Sequence, residues 1–314
     1  MPTDHVFELG ELELELGGTL SDARITYRTH GTLSRARDNA ILFPHMYSGT
    51  PASLDGWIAT GRALDPERWF VVCPGQFGNG LSSSPSSTAG KFPELTIGDD
   101  VVAQHRLVTH GLGIERLELV AGFSMGAQQA YEWAVRFPDA VRRLATFAGF
   151  ARTTPANELL VAASEEALRT GGTRQHARFW AATGLSAELF REECWRDAGF
   201  ESVPDLVQRL FEDDYESLDS ADLLCQLAKW RRADVSRHTD GDLAAALRRV
   251  SARALVVAFS HDRWFPVADC EAEQRLVSDA ELRVVESVWG HYAWGITAAE
   301  TEQIDVLLGE LLAT

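Results

Sequence analysis

The stretch Leu117-Glu118-Leu119-Val120-Ala121-Gly122-Phe123-Ser124-Met125-Gly126 decides how the surrounding chain folds. Residues 117–121 are mostly apolar, which predicts a buried strand, and the apolar residues of 127–137 recur with helical spacing. The link between them is a Gly-x-Ser-x-Gly motif. A serine on such a tight strand-to-helix turn adopts a strained backbone conformation, so its neighbours two positions away must be small. The pattern predicts that the Ser124 hydroxyl projects above the sheet as a nucleophile.

A serine hydroxyl is a weak nucleophile at neutral pH, and it needs a base that a third group holds in place. In strand-turn-helix sites of this kind the chain order is serine, acid, histidine. Asp262 is the only carboxylate in the loop after a predicted strand at 254–259, and His291 follows a predicted strand at 282–285. His176 falls within a predicted helix, and we interpret it as a surface or packing residue. The sequence therefore predicts a catalytic triad of Ser124, Asp262 and His291.

The negative oxygen that forms during acyl transfer needs two backbone N–H donors. One donor is expected from Met125, the residue after the nucleophile, and the other from the loop after the third strand. That loop contains His45, Met46 and Tyr47. Tyr47 is the predicted second donor and Met46 the alternative, whereas His45 is interpreted as a structural residue of the loop.

The remaining apolar runs indicate a mixed sheet. Residues 7–16 alternate apolar and acidic side chains, which predicts a half-buried strand that pairs with residues 23–29 across a Gly17-Gly18 turn. Short runs rich in Val, Ile and Phe then alternate with helical segments, as in a parallel sheet that is buried on both faces. The predicted strands of this part are 40–43, 69–73, 117–121, 144–148, 254–259 and 282–285. With the serine motif, this order predicts an α/β-hydrolase fold: a mostly parallel central sheet with an N-terminal antiparallel hairpin.

Residues 151–249 interrupt the alternation, because no strand-like run occurs in them. About a hundred helical residues between two strands of a sheet predict a lid over the active site. The predicted helices are 157–168, 175–182, 187–198, 203–212 and 222–232, and a last helix is predicted at 298–312. We therefore predict a catalytic core of residues 1–150 and 250–314 and a helical lid of residues 151–249.

Composition excludes several classes of function. The net charge is -17, which disfavours binding to nucleic acid and to anionic membrane surfaces. None of the four cysteines has zinc-site spacing, so free thiols and no metal are expected. The first twenty residues lack a signal-peptide pattern, and no apolar run approaches the length of a membrane helix. We expect a cytoplasmic enzyme that needs no cofactor and acts on a small-molecule acyl substrate.

The motifs together resemble those of the homoserine O-acetyltransferase family. The likeness covers most of the predicted core and, more loosely, the lid. It runs through residues 27–33, 63–65, 122–134, 137–139, 262–266 and 290–291. The resemblance implies the same triad and oxyanion loop, and a homodimer joined through lid helices.

The sequence departs from that family where the acceptor would bind. The family's Gly-Gly-Cys-x-Gly-Ser-Thr-Gly-Pro loop is replaced by residues 75–85, and the lid residues 220–224 lack the family's arginine. His291 is followed by Tyr292-Ala293-Trp294 where the family usually has an aspartate. These departures favour a hydrolase of a small ester, in which water attacks the acyl-serine. The alternatives are an acyl-CoA-dependent O-acyltransferase and a binding protein that retains the fold without catalysis.

Aromatic side chains in both predicted regions suggest an apolar pocket under the lid, which is how most small-molecule sites are lined. The alternative for each residue is that it packs the lid against the core. The candidates for substrate contact are Phe77, Trp180, Trp230, Trp264 and Trp294.

Overall fold

Eight strands form a single sheet in the computed structural model, which describes residues 2–314. They are β1 (Thr3–Glu13), β2 (Thr19–His30), β3 (Ala40–Leu42), β4 (Phe70–Pro74), β5 (Leu119–Phe123), β6 (Arg143–Phe147), β7 (Arg253–Phe259) and β8 (Ala280–Val285). The spatial order is β1-β2-β4-β3-β5-β6-β7-β8. The pairs β1–β2 and β2–β4 are antiparallel, and all pairs from β4 to β8 are parallel. The predicted fold class, a mostly parallel sheet preceded by an antiparallel hairpin, is confirmed.

The strand ends differ from prediction by a few residues, and one difference concerns the serine motif. β5 continues through Gly122 and Phe123, which pair with Thr146 and Phe147 of β6. Ser124 is therefore the first residue after the strand. Hydrogen bonds to β6 extend β5 past its most apolar part. The prediction from the apolar run therefore ended the strand two residues too early.

Ten α-helices accompany the sheet within residues 2–314. They are α1 (Ile97–Arg106), α2 (Met125–Arg136), α3 (Pro155–Gly184), α4 (Ala187–Arg191), α5 (Val203–Val207), α6 (Asp213–Glu216), α7 (Ser220–Arg231), α8 (Leu243–Leu247), α9 (Val267–Gln274) and α10 (Ala298–Leu312). Short 3₁₀ segments span Pro51–Trp57, Pro85–Ser87, Pro138–Ala140, Cys194–Arg196, Val235–Thr239 and Gly290–Tyr292, and π-helical segments span Leu107–Gly111 and Gln208–Glu212.

The helices between β6 and β7 differ most from the predicted ones. The predicted helices 157–168 and 175–182 belong to α3, which is interrupted at Gly172, where φ is +66°. The predicted helix 187–198 ends at Arg191, because the chain turns through a left-handed residue, Glu193. α8 was not predicted. The division of the chain into a core and a lid remains a prediction; we use "lid" for residues 151–249.

The parallel strands bring three distant loops to one edge of the sheet. Phe123 pairs with Phe147, Phe147 with Val257, and Phe259 with Val285, so β5, β6, β7 and β8 end at the same edge. Ligands bind at the carboxyl ends of parallel strands in open α/β sheets. The predicted site residues follow β5, β7 and β8 at this edge.

Two further properties bear on the sequence predictions. Among the helices of residues 2–314, none is both long and apolar enough to cross a membrane. All four cysteines are free; Cys73 and Cys270 are buried, whereas Cys194 and Cys225 are partly exposed.

Candidate active site

The turn that carries Ser124 is strained and tightly packed. Ser124 has φ +54° and ψ −120°, a conformation that non-glycine residues rarely adopt. A Cβ atom on Gly122 would lie 2.2 Å from the carbonyl carbon and oxygen of Gly126, and a Cβ on Gly126 would lie 2.4 Å from the Pro44 oxygen. Both glycines of the motif are therefore required by sterics, the second because the loop after β3 approaches it closely.

The structure brings the three predicted triad residues together in a hydrogen-bonded chain. Nε2 of His291 lies 3.0 Å from Oγ of Ser124, and Nδ1 lies 2.8 Å from Oδ2 of Asp262. The other carboxylate oxygen, Oδ1, accepts the backbone N–H groups of Trp264 and Phe265 at 2.8 and 3.1 Å. The three side chains are buried. This geometry holds the imidazole so that Nε2 is directed at the serine hydroxyl, the arrangement of a serine nucleophile with its base.

The loop that carries His291 is seated against the lid. Gly290 has φ +59°, and a Cβ at this position would lie 2.5 Å from the Gly184 oxygen at the end of α3. The Ser186 hydroxyl donates to the Val288 oxygen at 2.5 Å. The Phe265 ring stacks on the imidazole at a centroid distance of 5.3 Å. These contacts restrict the imidazole to one orientation.

Backbone donors lie beside the serine on two elements. Met125 is the first residue of α2, so its N–H has no partner within the helix. The backbone N–H groups of Met46 and Tyr47 have no acceptor among residues 2–314. Met46, Tyr47 and Ser124 line the same cavity. The arrangement suits an oxyanion hole. It does not decide whether the backbone N–H of Tyr47 or that of Met46 is the second donor.

His45 holds the oxyanion loop rather than facing the cavity. It is fully buried, and its Nδ1 donates to the Met46 oxygen at 2.8 Å. The Gln129 side chain of α2 donates to the His45 oxygen at 3.2 Å, and Gln76 donates to the Met46 oxygen at 3.3 Å. Burial lowers the pKa of His45 to about 4, which keeps it neutral near pH 7.

A cavity of about 440 Å³ opens in front of Ser124 and His291. Of the five aromatic residues predicted to contact substrate, Trp180 and Trp294 line it, and Phe77, Trp230 and Trp264 do not. The wall also contains residues that the sequence analysis missed, since no local sequence pattern shows which residue faces a cavity. These are Ser48, Gly49, Thr50, Ser53, Leu210, Asp214, Tyr215, Leu218, Tyr292, Gly295 and Ile296.

Trp230 and Trp264 instead pack the lid against the core, the alternative that the sequence left open, and the Phe77 ring is fully buried in the hydrophobic core. Trp264 stacks on Trp180 with centroids 4.2 Å apart and planes inclined by 7°. The Trp230 indole donates to Asn157 at 2.7 Å and stacks on Phe265. All three side chains are buried. Trp230 and Trp264 contact the wall residues Trp180 and Tyr47 from behind and so support the wall.

The charge of the cavity is one-sided. Among residues 2–314, Asp214 is the only acidic residue that lines it, and no lysine or arginine does. The one fully buried lysine, Lys229 on α7, lies outside the cavity and pairs with Asp100 at 2.7 Å. Residues 2–314 also contain no group of three His, Cys, Asp or Glu side chains that could hold a metal ion.

The chain is similar to known proteins of one fold family. The sequence profile of the alpha/beta hydrolase fold matches residues 39–294. An ethyl acetate hydrolase from Pseudomonas veronii is 41% identical, with 98% of this chain and 95% of that protein covered. The crystal structure of an acetylester hydrolase from Corynebacterium glutamicum is 42% identical and superposes with a TM-score of 0.97, covering 99% of this chain and 96% of the other.

The resemblance found in the sequence is confirmed as well. A homoserine O-acetyltransferase from Thermobifida fusca is 31% identical, with 98% of this chain and 93% of that protein covered. The profile match and these near full-length relatives agree with the eight-stranded, mostly parallel sheet. The chain therefore belongs to the α/β-hydrolase family and is an enzyme of that family.

Proposed function

We propose that this enzyme hydrolyses small uncharged esters with short acyl groups, acetyl esters in particular, through an acyl-Ser124 intermediate. The observation that carries the proposal is the position of His291, which joins Ser124 and Asp262 at the mouth of an apolar cavity. The prediction of an ester hydrolase is confirmed at the level of the family, because the relatives more than 40% identical over nearly the whole chain are esterases by name.

Each step follows from the chain's own groups. Oγ of Ser124 attacks the ester carbonyl carbon while its proton passes to Nε2 of His291, and Asp262 stabilises the imidazolium that results. The N–H groups of Met125 and Tyr47 hold the carbonyl oxygen as it becomes an anion. When the tetrahedral intermediate collapses, His291 gives the proton to the leaving alcohol. A water molecule then repeats the sequence on the acyl-serine and releases the acid.

The cavity suits an uncharged ester. Most of its wall is apolar or aromatic, and the one acidic residue, Asp214, would repel an anionic substrate. A buried carboxylate of a free amino acid needs a cationic partner, because an unpaired buried charge is strongly disfavoured. No lysine or arginine of residues 2–314 lines the cavity. The name of the Pseudomonas veronii relative, ethyl acetate hydrolase, supports a short acyl group and a small alcohol.

The second candidate is an acyl-CoA-dependent O-acyltransferase, which the Thermobifida fusca relative favours. It would use the same acyl-serine but pass the acyl group to an alcohol. The missing cation and the acidic residue at the cavity argue against both a polyanionic donor and an amino-acid acceptor. The third candidate, a binding protein without catalysis, does not account for the aligned hydrogen bonds of Ser124, His291 and Asp262.

Two assays test the proposal. A fluorophosphonate probe should label wild-type enzyme at Ser124, identified by mass spectrometry, and should not label Ser124→Ala. Release of acid from ethyl acetate should exceed thiol release from acetyl-CoA in the presence of homoserine by at least tenfold in kcat/KM. Equal labelling of Ser124→Ala would disprove the nucleophile. Acetyl transfer to homoserine with kcat/KM of ~10⁴ M⁻¹s⁻¹ or above would favour the acyltransferase.

The cytoplasmic location and the homodimer joined through lid helices remain proposals. The resemblance to homoserine O-acetyltransferases supports the second. Light scattering of the purified protein at several concentrations would measure its mass against that of a 34.6 kDa monomer.

A further inference from the structure

His176 of α3 is fully buried and contacts the oxyanion loop from the lid side. Its Nε2 lies 2.9 Å from the Tyr47 hydroxyl and 3.1 Å from the Trp180 indole nitrogen. Its Nδ1 lies 3.0 Å from the backbone oxygen of Ser164. All polar positions of the ring are therefore in use, and two of its partners, Tyr47 and Trp180, line the cavity.

The chemistry of these partners determines which nitrogen of His176 carries the proton. The Trp180 indole can only donate, and the Ser164 carbonyl can only accept. His176 is therefore neutral, with its proton on Nδ1, and the single lone pair of its Nε2 is shared between the indole N–H of Trp180 and the hydroxyl of Tyr47. Burial lowers the pKa of His176 to about 4, in agreement with this neutral form. The Tyr47 hydroxyl must then donate to His176, which aligns the phenol with the lid.

The lid also fixes the backbone on the C-terminal side of Tyr47. The N–H of Ser48 donates to the Gln226 side chain of α7 at 3.2 Å, and Ser48 has φ +58°. The Tyr47 ring stacks on Trp180 with centroids 5.5 Å apart and planes inclined by 22°. The side chain of Tyr47 is thus held by α3 and the next peptide by α7. On the N-terminal side of these anchors, the backbone N–H of Tyr47 has no acceptor within residues 2–314.

We propose that His176 is a positioning residue that holds Tyr47, through its hydroxyl, with the backbone N–H directed at the oxyanion. In this arrangement the oxyanion hole is completed by the lid, although both of its donors belong to the core. The inference rests on the proposed function, because it assumes that Ser124 attacks an acyl carbon. A displaced donor weakens transition-state binding more than substrate binding, so the effect falls on kcat.

The test uses three variants of the full chain. His176→Phe removes the nitrogen that accepts from the Tyr47 hydroxyl, and Tyr47→Phe removes that hydroxyl but keeps the backbone N–H. His176→Gln offers a side-chain oxygen as a replacement acceptor. Loss of one oxyanion donor lowers kcat by roughly 10²–10³-fold. A displaced Tyr47 N–H should lower kcat by less than a missing one. We expect His176→Phe and Tyr47→Phe to lower kcat for ethyl acetate by about 10- to 100-fold. KM should change by less than about threefold, and His176→Gln should recover at least part of kcat.

A second readout separates positioning from general damage to the fold. A small trifluoromethyl ketone takes Ser124 Oγ onto its carbonyl carbon, the hydroxyl proton passes to His291, and the new oxyanion occupies the hole. Its affinity should fall in parallel with kcat/KM across the variants. The matched control is Glu212→Gln, which removes the ion pairs of Glu212 with Arg174 and Arg178 of α3 without contacting Tyr47. This variant should leave kcat and inhibitor affinity within about twofold of wild type.

The combination Tyr47→Phe/His176→Phe gives a double-mutant cycle, and the two effects should be clearly non-additive because both remove the same contact. Additive effects, or unchanged kcat and inhibitor affinity in folded Tyr47→Phe and His176→Phe, would overturn the inference. If Ser124→Ala also kept its activity, the proposed function itself would be wrong. If only the Tyr47 and His176 variants kept theirs, the proposed function would stand and the positioning role would not.

Discussion

The core and the lid contribute to the same cavity, but different forces hold their residues in place. Ser124, Asp262 and His291 occupy loops directly after β5, β7 and β8, so the backbone hydrogen bonds of the sheet determine where they lie. The lid residue His176 stands on α3, which is connected to the core through side chains. A change in a core loop should therefore affect the chemical step. A change in the lid should affect fit, alignment or stability.

Buried polar contacts take the place of a sheet in holding the lid. Lys229 of α7 donates to Asp100 at 2.7 Å, to the Phe77 oxygen at 2.6 Å and to Gln76 at 3.2 Å. The ammonium group is fully buried, and all three of its hydrogens have a partner. A buried charge is tolerated only when it is paired in this way, so removing one partner of the contact is strongly destabilising. The predictions below test this division, from the largest expected effect to the smallest.

Changes to the core triad should have the largest effect. Asp262→Asn and His291→Ala should each lower kcat for ethyl acetate by on the order of 10³ or more, and their effects should not add, because the triad acts as a unit. The matched control is His261→Ala. His261 lies in the same loop as Asp262, but its ring contacts Ser260 and Ser287 instead of His291. Steady-state kinetics should place it within about threefold of wild type. Full activity in Asp262→Asn would mean that another acid serves His291.

An added methyl group at Gly122 should show how little steric room the serine turn of the core has. The Cβ of Gly122→Ala would overlap the Gly126 backbone, so the turn must shift. We expect a loss of about 1–3 kcal/mol in the free energy of unfolding. A displacement of about 1 Å at the nucleophile lowers kcat by roughly 10²-fold. In Gly56→Ala the added methyl meets no atom within 4 Å. Urea unfolding and kinetics of the two variants should differ accordingly; similar values would show that the turn tolerates the extra atom.

Breaking the buried ion pair should destabilise the protein without acting on the chemical step. Lys229→Met leaves Asp100 as an uncompensated buried charge, and we expect the free energy of unfolding to fall by about 3–5 kcal/mol. Arg232 directly follows α7, and Arg232→Met, which breaks its exposed pair with Glu94, should lower it by about 1 kcal/mol or less. Adding Asp100→Asn to Lys229→Met should recover part of the loss. Urea titration measures all three variants, and equal destabilisation by the two single changes would argue against the role given to the buried pair.

The smallest effect should come from the charge at the cavity wall. Asp214→Asn should raise kcat/KM for an anionic ester such as acetoxyacetate by about 3- to 10-fold at low salt, since a nearby exposed charge contributes about 1 kcal/mol. The value for ethyl acetate should not change, and the gain should shrink in 0.5 M NaCl because salt screens exposed charges. Asp213→Asn, an adjacent exposed residue outside the cavity wall, is the control. An equal gain in both variants would assign the selectivity to net charge instead of to Asp214.

Much of the fold could be predicted from the sequence, because apolar runs and turn residues indicate strands and helices locally. The strands were predicted to within a few residues, and α10 has the predicted bounds of Ala298–Leu312. The lid could be predicted less well. The kink at Gly172 and the left-handed Glu193 depend on contacts that no helical periodicity encodes. His176 shows the difference most clearly, since its helical setting gave no sign that it is buried against Tyr47, 129 positions earlier in the chain.

By itself, the sequence determined the serine turn, the loops that follow the parallel strands and the candidate triad. Each of these depends on a short motif and on where a strand ends. Only the tertiary structure decided which aromatic side chains face the cavity. It placed Trp180 and Trp294 on the wall, whereas Phe77, Trp230 and Trp264 are buried and do not line the cavity. The physical reason is that a local sequence pattern marks a side chain as apolar but does not specify which residues it contacts. Whether such a side chain meets a substrate or another ring is settled by contacts between residues far apart in the chain.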